Sequence, residues 1–171
     1  ITGSHLLVAA GRSPSIADLD LDAAGIRHER SGIVVNRKLK TANRRVYAIG
    51  DCIAGALQLA HAANYHAGLV IRNALFRLPV RVNNDCIPSV TFTDPELAQI
   101  GLSEARARQQ GIKIRVTRWP YHDNDRAQAE GVPRGHIKVI TTEKGKIVGV
   151  TIVGAQAGEL IAMWVLAIMR N

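Results

Sequence analysis

Hydrophobic residues in the first half of the chain come in short unbroken runs, whereas in the second half many of them alternate with polar ones. Leu6-Leu7-Val8-Ala9-Ala10, ended by Gly11-Arg12-Ser13-Pro14, reads as a strand buried on both faces and closed by a turn. Leu19, Leu21 and Ile26 are the expected anchors of the irregular stretch that follows. Ile33-Val34-Val35 and Leu39-Lys40-Thr41 read as a small paired excursion, after which Val46-Tyr47-Ala48-Ile49 forms a second buried strand leading into Gly50-Asp51. From Leu59 to Leu75 the spacing predicts a helix. Its small residues Ala62, Ala63, Ala67 and Gly68 allow a neighbour to approach closely, and Leu78-Pro79 marks its exit.

Past Asn83-Asn84-Asp85 the pattern changes, which places a domain boundary near residue 84 and divides the chain into 1–84 and 85–171. Val90-Thr91-Phe92-Thr93 alternates, Asp94-Pro95-Glu96 turns, and Leu97 to Ile100 returns as a second strand. Ser103 is a good N-cap, Glu104 suits the positive end of a helix, Arg106 and Arg108 suit the other end, and Gly111 closes it. Three more strands are expected at Lys113–Trp119, Ile137–Ile140 and Ile147–Val153, the last two joined as a hairpin through Glu143-Lys144-Gly145-Lys146. Gly154 and Gly158 bracket the entry to a final helix that is apolar on nearly every face from Leu160 onward. Such a helix must be buried against something.

Composition narrows the class. With 171 residues, 47% apolar and 21% charged, the chain can fill one ordinary domain or two small ones. The longest apolar run, Leu160 to Met169, is too short to cross a bilayer, and the opening Ile1-Thr2-Gly3-Ser4 is not a signal peptide, so a cytoplasmic location without a membrane partner is the expectation. Cys52 and Cys86 lie far apart and form no redox pair, which makes each a small apolar residue rather than a catalyst. The net charge of +8 is spread through alternating stretches such as Lys113 to Arg118, the signature of a solvated strand face. Few aromatics are available to stack bases, so no nucleic-acid partner is expected.

The candidate chemistry sits at Gly50-Asp51. In open α/β sheets ligands collect at the carboxyl ends of strands; a glycine there lets a ligand approach the main chain, and a carboxylate can accept hydrogen bonds from a polyol or ribose. The alternative for these residues is an acidic turn. His61 and His66, five positions apart, point well away from each other on a helix and do not make a metal site. Asp94 and Glu96 flank a turn proline with no suggestion of a cleft, and Asp123, Asp125 and Arg126 read as loop-ordering or interface ion pairs.

Five stretches together resemble a known family. Leu7 to Pro14, Val46 to Asp51 and Leu59-Ala60-His61, then Thr91 to Ser103 and Asp123 to Ala127, are similar in this order to the flavin-dependent pyridine nucleotide-disulfide oxidoreductases, in the style of dihydrolipoamide dehydrogenases and mercuric reductase-like members. The resemblance implies an α+β chain, the end of an α/β FAD/NAD(P)-binding domain followed by an antiparallel-sheet dimerisation domain with flanking helices. It implies that Asp51 binds the ribityl chain of FAD at Gly50, and that Leu59, Ala60 and His61 set a helix N-terminus near the flavin ring. It further implies that Gly11 and Arg12 line the end of the nicotinamide-nucleotide domain, and that residues 86–171 form a two-fold homodimer. Ser15 and Asn36 stand where the family often carries Asn and Asp, which touches turns and not chemistry.

Two family hallmarks are not in this sequence: a Gly-x-Gly-x-x-Gly nucleotide loop and a closely spaced cysteine pair. The His and Glu that such enzymes lend across the dimer belong to a segment beyond the last helix. The expectation is therefore a C-terminal portion of a larger flavoenzyme, truncated at its own C-terminus. Its parent would use FAD and NAD(P)H to pass electrons to a small-molecule or protein disulfide, and the isolated chain would be inactive. A non-catalytic homodimerisation module is the alternative.

Overall fold

In the computed structural model, which describes residues 3–170, the chain forms two compact units that meet between Val82 and Asn83. In the first unit, regular structure is sparse. Strands β1 (His28–Glu29) and β2 (Gly32–Ile33) make a small antiparallel hairpin, Gly50–Cys52 forms one turn of 3-10 helix, and α1 spans Ala60–Ala74. Its core gathers Leu21, Ile26, Ile33, Leu39, Ala48, Ile53 and Leu69, so Leu21 and Ile26 are anchors as their spacing suggests. Leu19 stays exposed. Helix α1 ends where Arg77 turns left-handed at φ +54° and the Leu78 N–H donates to the Arg72 carbonyl at 3.0 Å.

Three local expectations fail here, for one reason. A strand exists only when a second strand accepts its hydrogen bonds. Leu6, Leu7 and Val8 are 89%, 87% and 76% exposed, and no strand among the described residues pairs with them. Val46 to Ile49 forms no ladder either, and Tyr47 makes a single antiparallel bridge to Lys40. The Ile33 and Leu39 stretches do not pair with each other. Ile33 pairs with His28 and makes an isolated parallel bridge to Ile53, and Lys40 takes Tyr47 instead.

The second unit supplies its own partners. Strands β3 (Ser89–Thr91), β4 (Glu96–Gly101), β5 (Ile114–Pro120), β6 (His136–Thr142) and β7 (Ile147–Gly154) form one antiparallel sheet in the order β3-β4-β7-β6-β5. Between them lie α2 (Glu104–Gln109) and α3 (Asp125–Ala129), and α4 (Ala157–Met169) closes the unit. Alternation puts Ala98, Ile100, Val150 and Ile152 on the face that meets Ala157 and Ile161 of α4, with Trp164, Val165 and Ile168 packed at the margin. Each isoleucine enclosed there contributes about 1.5–3 kcal/mol of hydrophobic stabilisation. Gly149 is required on the strand because a Cβ would land on the Leu102 carbonyl.

Helix ends in this unit are tied down by identifiable groups. Ser103 Oγ accepts the Arg106 N–H at the start of α2, as its position predicts. Helix α4 starts from Gln156, which is left-handed at φ +57° and supplies no side-chain cap. Glu96 on β4 takes over, its Oε2 accepting the Gly158 N–H at 2.9 Å. Helix α3 replaces the expected loop: Asn124 caps it by accepting the Ala127 N–H, and Arg126 pairs with Glu130 one turn on while Asp123 pairs with the His122 ring. Glu104 gathers Arg108 at 3.0 Å, Arg118 at 3.3 Å and Lys138 at 3.7 Å, and the Arg108 hydrogen bond leads these in holding its carboxyl below the usual range. The final helix is less enclosed than its composition suggests, since Met163, Leu166 and Met169 are exposed.

Candidate functional site

The turn at Gly50–Cys52 is built by its glycine. Gly50 is buried and left-handed at φ +69°, and a Cβ there would sit 2.9 Å from the Ala63 Cβ in the opening turn of α1. Only a residue without a side chain lets the main chain rest on the helix in this way. Asp51 follows at once, and its side chain is 47% exposed, a carboxylate held on a fixed backbone and open to a ligand. Cys52 Sγ donates to the Ile49 carbonyl at 3.2 Å.

Arg12 joins the segments that the sequence separates. Its Nη2 donates to the Gln58 carbonyl at 2.7 Å, and its Nη1 lies 4.0 Å from Asp51 Oδ2. The guanidinium thus bridges the carboxylate and the approach to α1. Gly11 beside it is left-handed at φ +104° and exposed, with open space where a Cβ would stand. Leu59 is the N-cap of α1 in extended conformation and supplies no side-chain hydrogen bond, Ala60 opens the helix, and His61 is exposed in its first turn. The candidates Gly11, Arg12, Gly50, Asp51, Leu59, Ala60 and His61 therefore converge on one part of the first unit.

One residue of this arrangement was not among the sequence candidates. His66 lies on the inner face of α1 with Ala62 and Leu69, is 3% exposed, and accepts the Gly50 N–H on Nδ1 at 3.2 Å. Its Nε2 has no hydrogen-bond partner among the described residues. Burial lowers its pKa below the ordinary 6.5, which leaves the ring neutral at pH 7. The signal for it was present: positions 62, 66 and 69 repeat at helical spacing, and a histidine on that stripe must spend its polar atoms inside.

The wider relationships are clear on both units. Residues 1–67 match the model of the pyridine nucleotide-disulphide oxidoreductase family, and residues 87–171 match that of the pyridine nucleotide-disulphide oxidoreductase dimerisation domain. The chain belongs to the pyridine nucleotide-disulphide oxidoreductase family. Mercuric reductase from Bacillus cereus is 36% identical over 170 residues, which cover 98% of this chain and 27% of that protein. Dihydrolipoyl dehydrogenase from Buchnera aphidicola is 40% identical over 165 residues, covering 95% and 34%.

Among solved structures, LpdA from Mycobacterium tuberculosis superposes with a TM-score of 0.89 at 27% identity, over 98% of this chain and 37% of that one. The HOCl-induced flavoprotein disulfide reductase RclA from Escherichia coli superposes with a TM-score of 0.80 at 28% identity, over 94% and 37%. The chain spans about a third of the length of the curated relatives it matches. No helix among the described residues is long and apolar enough to cross a membrane.

Proposed function

We propose that this chain is the part of an FAD-dependent NAD(P)H oxidoreductase that holds the sugar side of the flavin cofactor with its first unit and forms a homodimer with its second. The observation that carries the reading is the Gly50–Asp51 turn, an exposed carboxylate on a backbone pinned against the first turn of α1. The residues fit such a cofactor. Asp51 can accept hydrogen bonds from ribityl hydroxyls, Gly50 leaves the main chain open to close approach, and the uncapped start of α1 at Leu59, Ala60 and His61 favours negative charge nearby. Arg12, hydrogen-bonded to Gln58, places its positive charge 4.0 Å from Asp51, while Gly11 gives the chain its turn into that contact.

FAD, when bound, would carry two electrons from NAD(P)H to a disulfide or related acceptor. The role of this chain is to bind and orient, and no catalytic group is assigned to it. The test is Asp51→Ala in the complete protein, read as flavin per polypeptide from the visible spectrum after desalting. A drop of tenfold or more is expected, and full flavin content in the variant sinks the reading. A second reading, a homodimerisation module without catalysis, is favoured by the self-contained sheet of the second unit. Gel filtration that returns a monomer at high concentration counts against both.

A further inference from the structure

We propose that His66 is a positioning residue for Asp51, holding the Gly50 N–H on its neutral Nδ1 and so fixing the turn that presents the carboxylate to the cofactor. This rests on the reading of Asp51 given above. The geometry requires an acceptor at Nδ1, because a backbone N–H can only donate, and the neutral ring then carries its hydrogen on Nε2. Enclosing that Nε2 without a partner is unfavourable, so an isoleucine or leucine at position 66 would satisfy the core better. What the histidine adds is the bond to Gly50. Without it a buried main-chain N–H would be orphaned at the residue immediately before Asp51.

The surroundings keep the ring in the form this needs. On α1 the titratable neighbours are Tyr65, whose ring centre is 6.0 Å away, and His61 near the helix start. The turn carries Asp51 and Cys52, with the Asp51 carboxylate directed to Arg12 and the Cys52 thiol to the Ile49 carbonyl. Burial, and none of these charges, is what keeps the imidazole neutral. A protonated ring would bring a second N–H against that of Gly50 and release the turn.

The experiment compares His66→Leu, His66→Asn and Asp51→Ala in the flavin-loaded complete protein, following FAD release by the rise in flavin fluorescence on dilution. Asn places an amide oxygen near the position of Nδ1, whereas Leu offers no acceptor. His66→Leu is expected to release flavin at least tenfold faster than wild type and His66→Asn within about threefold of it. Wild-type release should also accelerate as pH falls below 6.5, with no such acceleration in the Asn variant. Wild-type release from His66→Leu, with flavin lost from Asp51→Ala, overturns the inference and leaves the Asp51 reading intact. Normal flavin retention in Asp51→Ala overturns both. Should the Leu variant not fold, His66→Gln replaces it, since its amide reaches the Nε2 position instead; equal release from the Asn and Gln variants then refutes the role.

Discussion

The two units use similar amounts of chain in opposite ways. The second builds an open five-stranded antiparallel sheet in which three ladders join strands consecutive in sequence, β6 and β7 through a tight turn, and one joins β4 to β7. The first has apolar segments as strand-like as any, yet among the described residues its regular strands are two residues long, and Leu6, Leu7 and Val8 face solvent. Antiparallel hairpins find their partners nearby in sequence, while strands of the parallel type depend on partners reached through long crossovers. Apolar runs therefore report that a segment could be buried, and pairing decides whether it is.

The comparison can be broken most forcefully in the second unit. Ile152→Ala removes a fully enclosed side chain from the β7 face under α4 and should destabilise that unit by about 3–4 kcal/mol, read from the midpoint of urea unfolding. An effect below about 1 kcal/mol would mean the sheet is not the self-sufficient core described. Gly50→Ala tests the first unit. The left-handed backbone and the contact with Ala63 predict a loss of about 2 kcal/mol, together with faster amide exchange over residues 50–52.

Acid sharpens the contrast between the units through His66. Its folded pKa is lowered, so the unfolded chain binds the proton more tightly. The stability it supports is present in full above pH 6.5 and is lost as pH falls from there through the lowered folded value. The first unit should accordingly lose stability between pH 7 and 5, and His66→Asn should flatten that slope. The smallest effect is expected of Leu7→Ser: a side chain 87% exposed should change the stability of this chain by less than about 0.5 kcal/mol. A larger loss would show that the Leu6–Ala10 segment is buried in solution after all.

Particular residues show what could be read in advance. Ser103 and Gly111 mark the ends of α2 because capping and left-handed closure are local chemistry, decided within one turn of chain. The second-unit strands and the Glu143–Lys146 hairpin follow from alternation for the same reason. Helix α3 escaped because five residues are too few to show a period, although Asn124-Asp125 carries its cap. The convergence of Arg12 with Asp51 and Gln58 spans 46 positions to the latter, and no periodicity reports a contact at that separation.

By itself the sequence determined the place of Gly50-Asp51, the run of α1, the alternating strands past residue 84 and, through five ordered motifs, the family. These depend on local backbone preference and on residue types in a line. Tertiary structure alone decided that Leu6 to Ala10 forms no strand here, that Glu96 caps α4 from across the sheet, and that His66 reaches Gly50. Each of those outcomes turns on which hydrogen-bonding group finds a partner far along the chain, and a group's partner is a property of the folded arrangement.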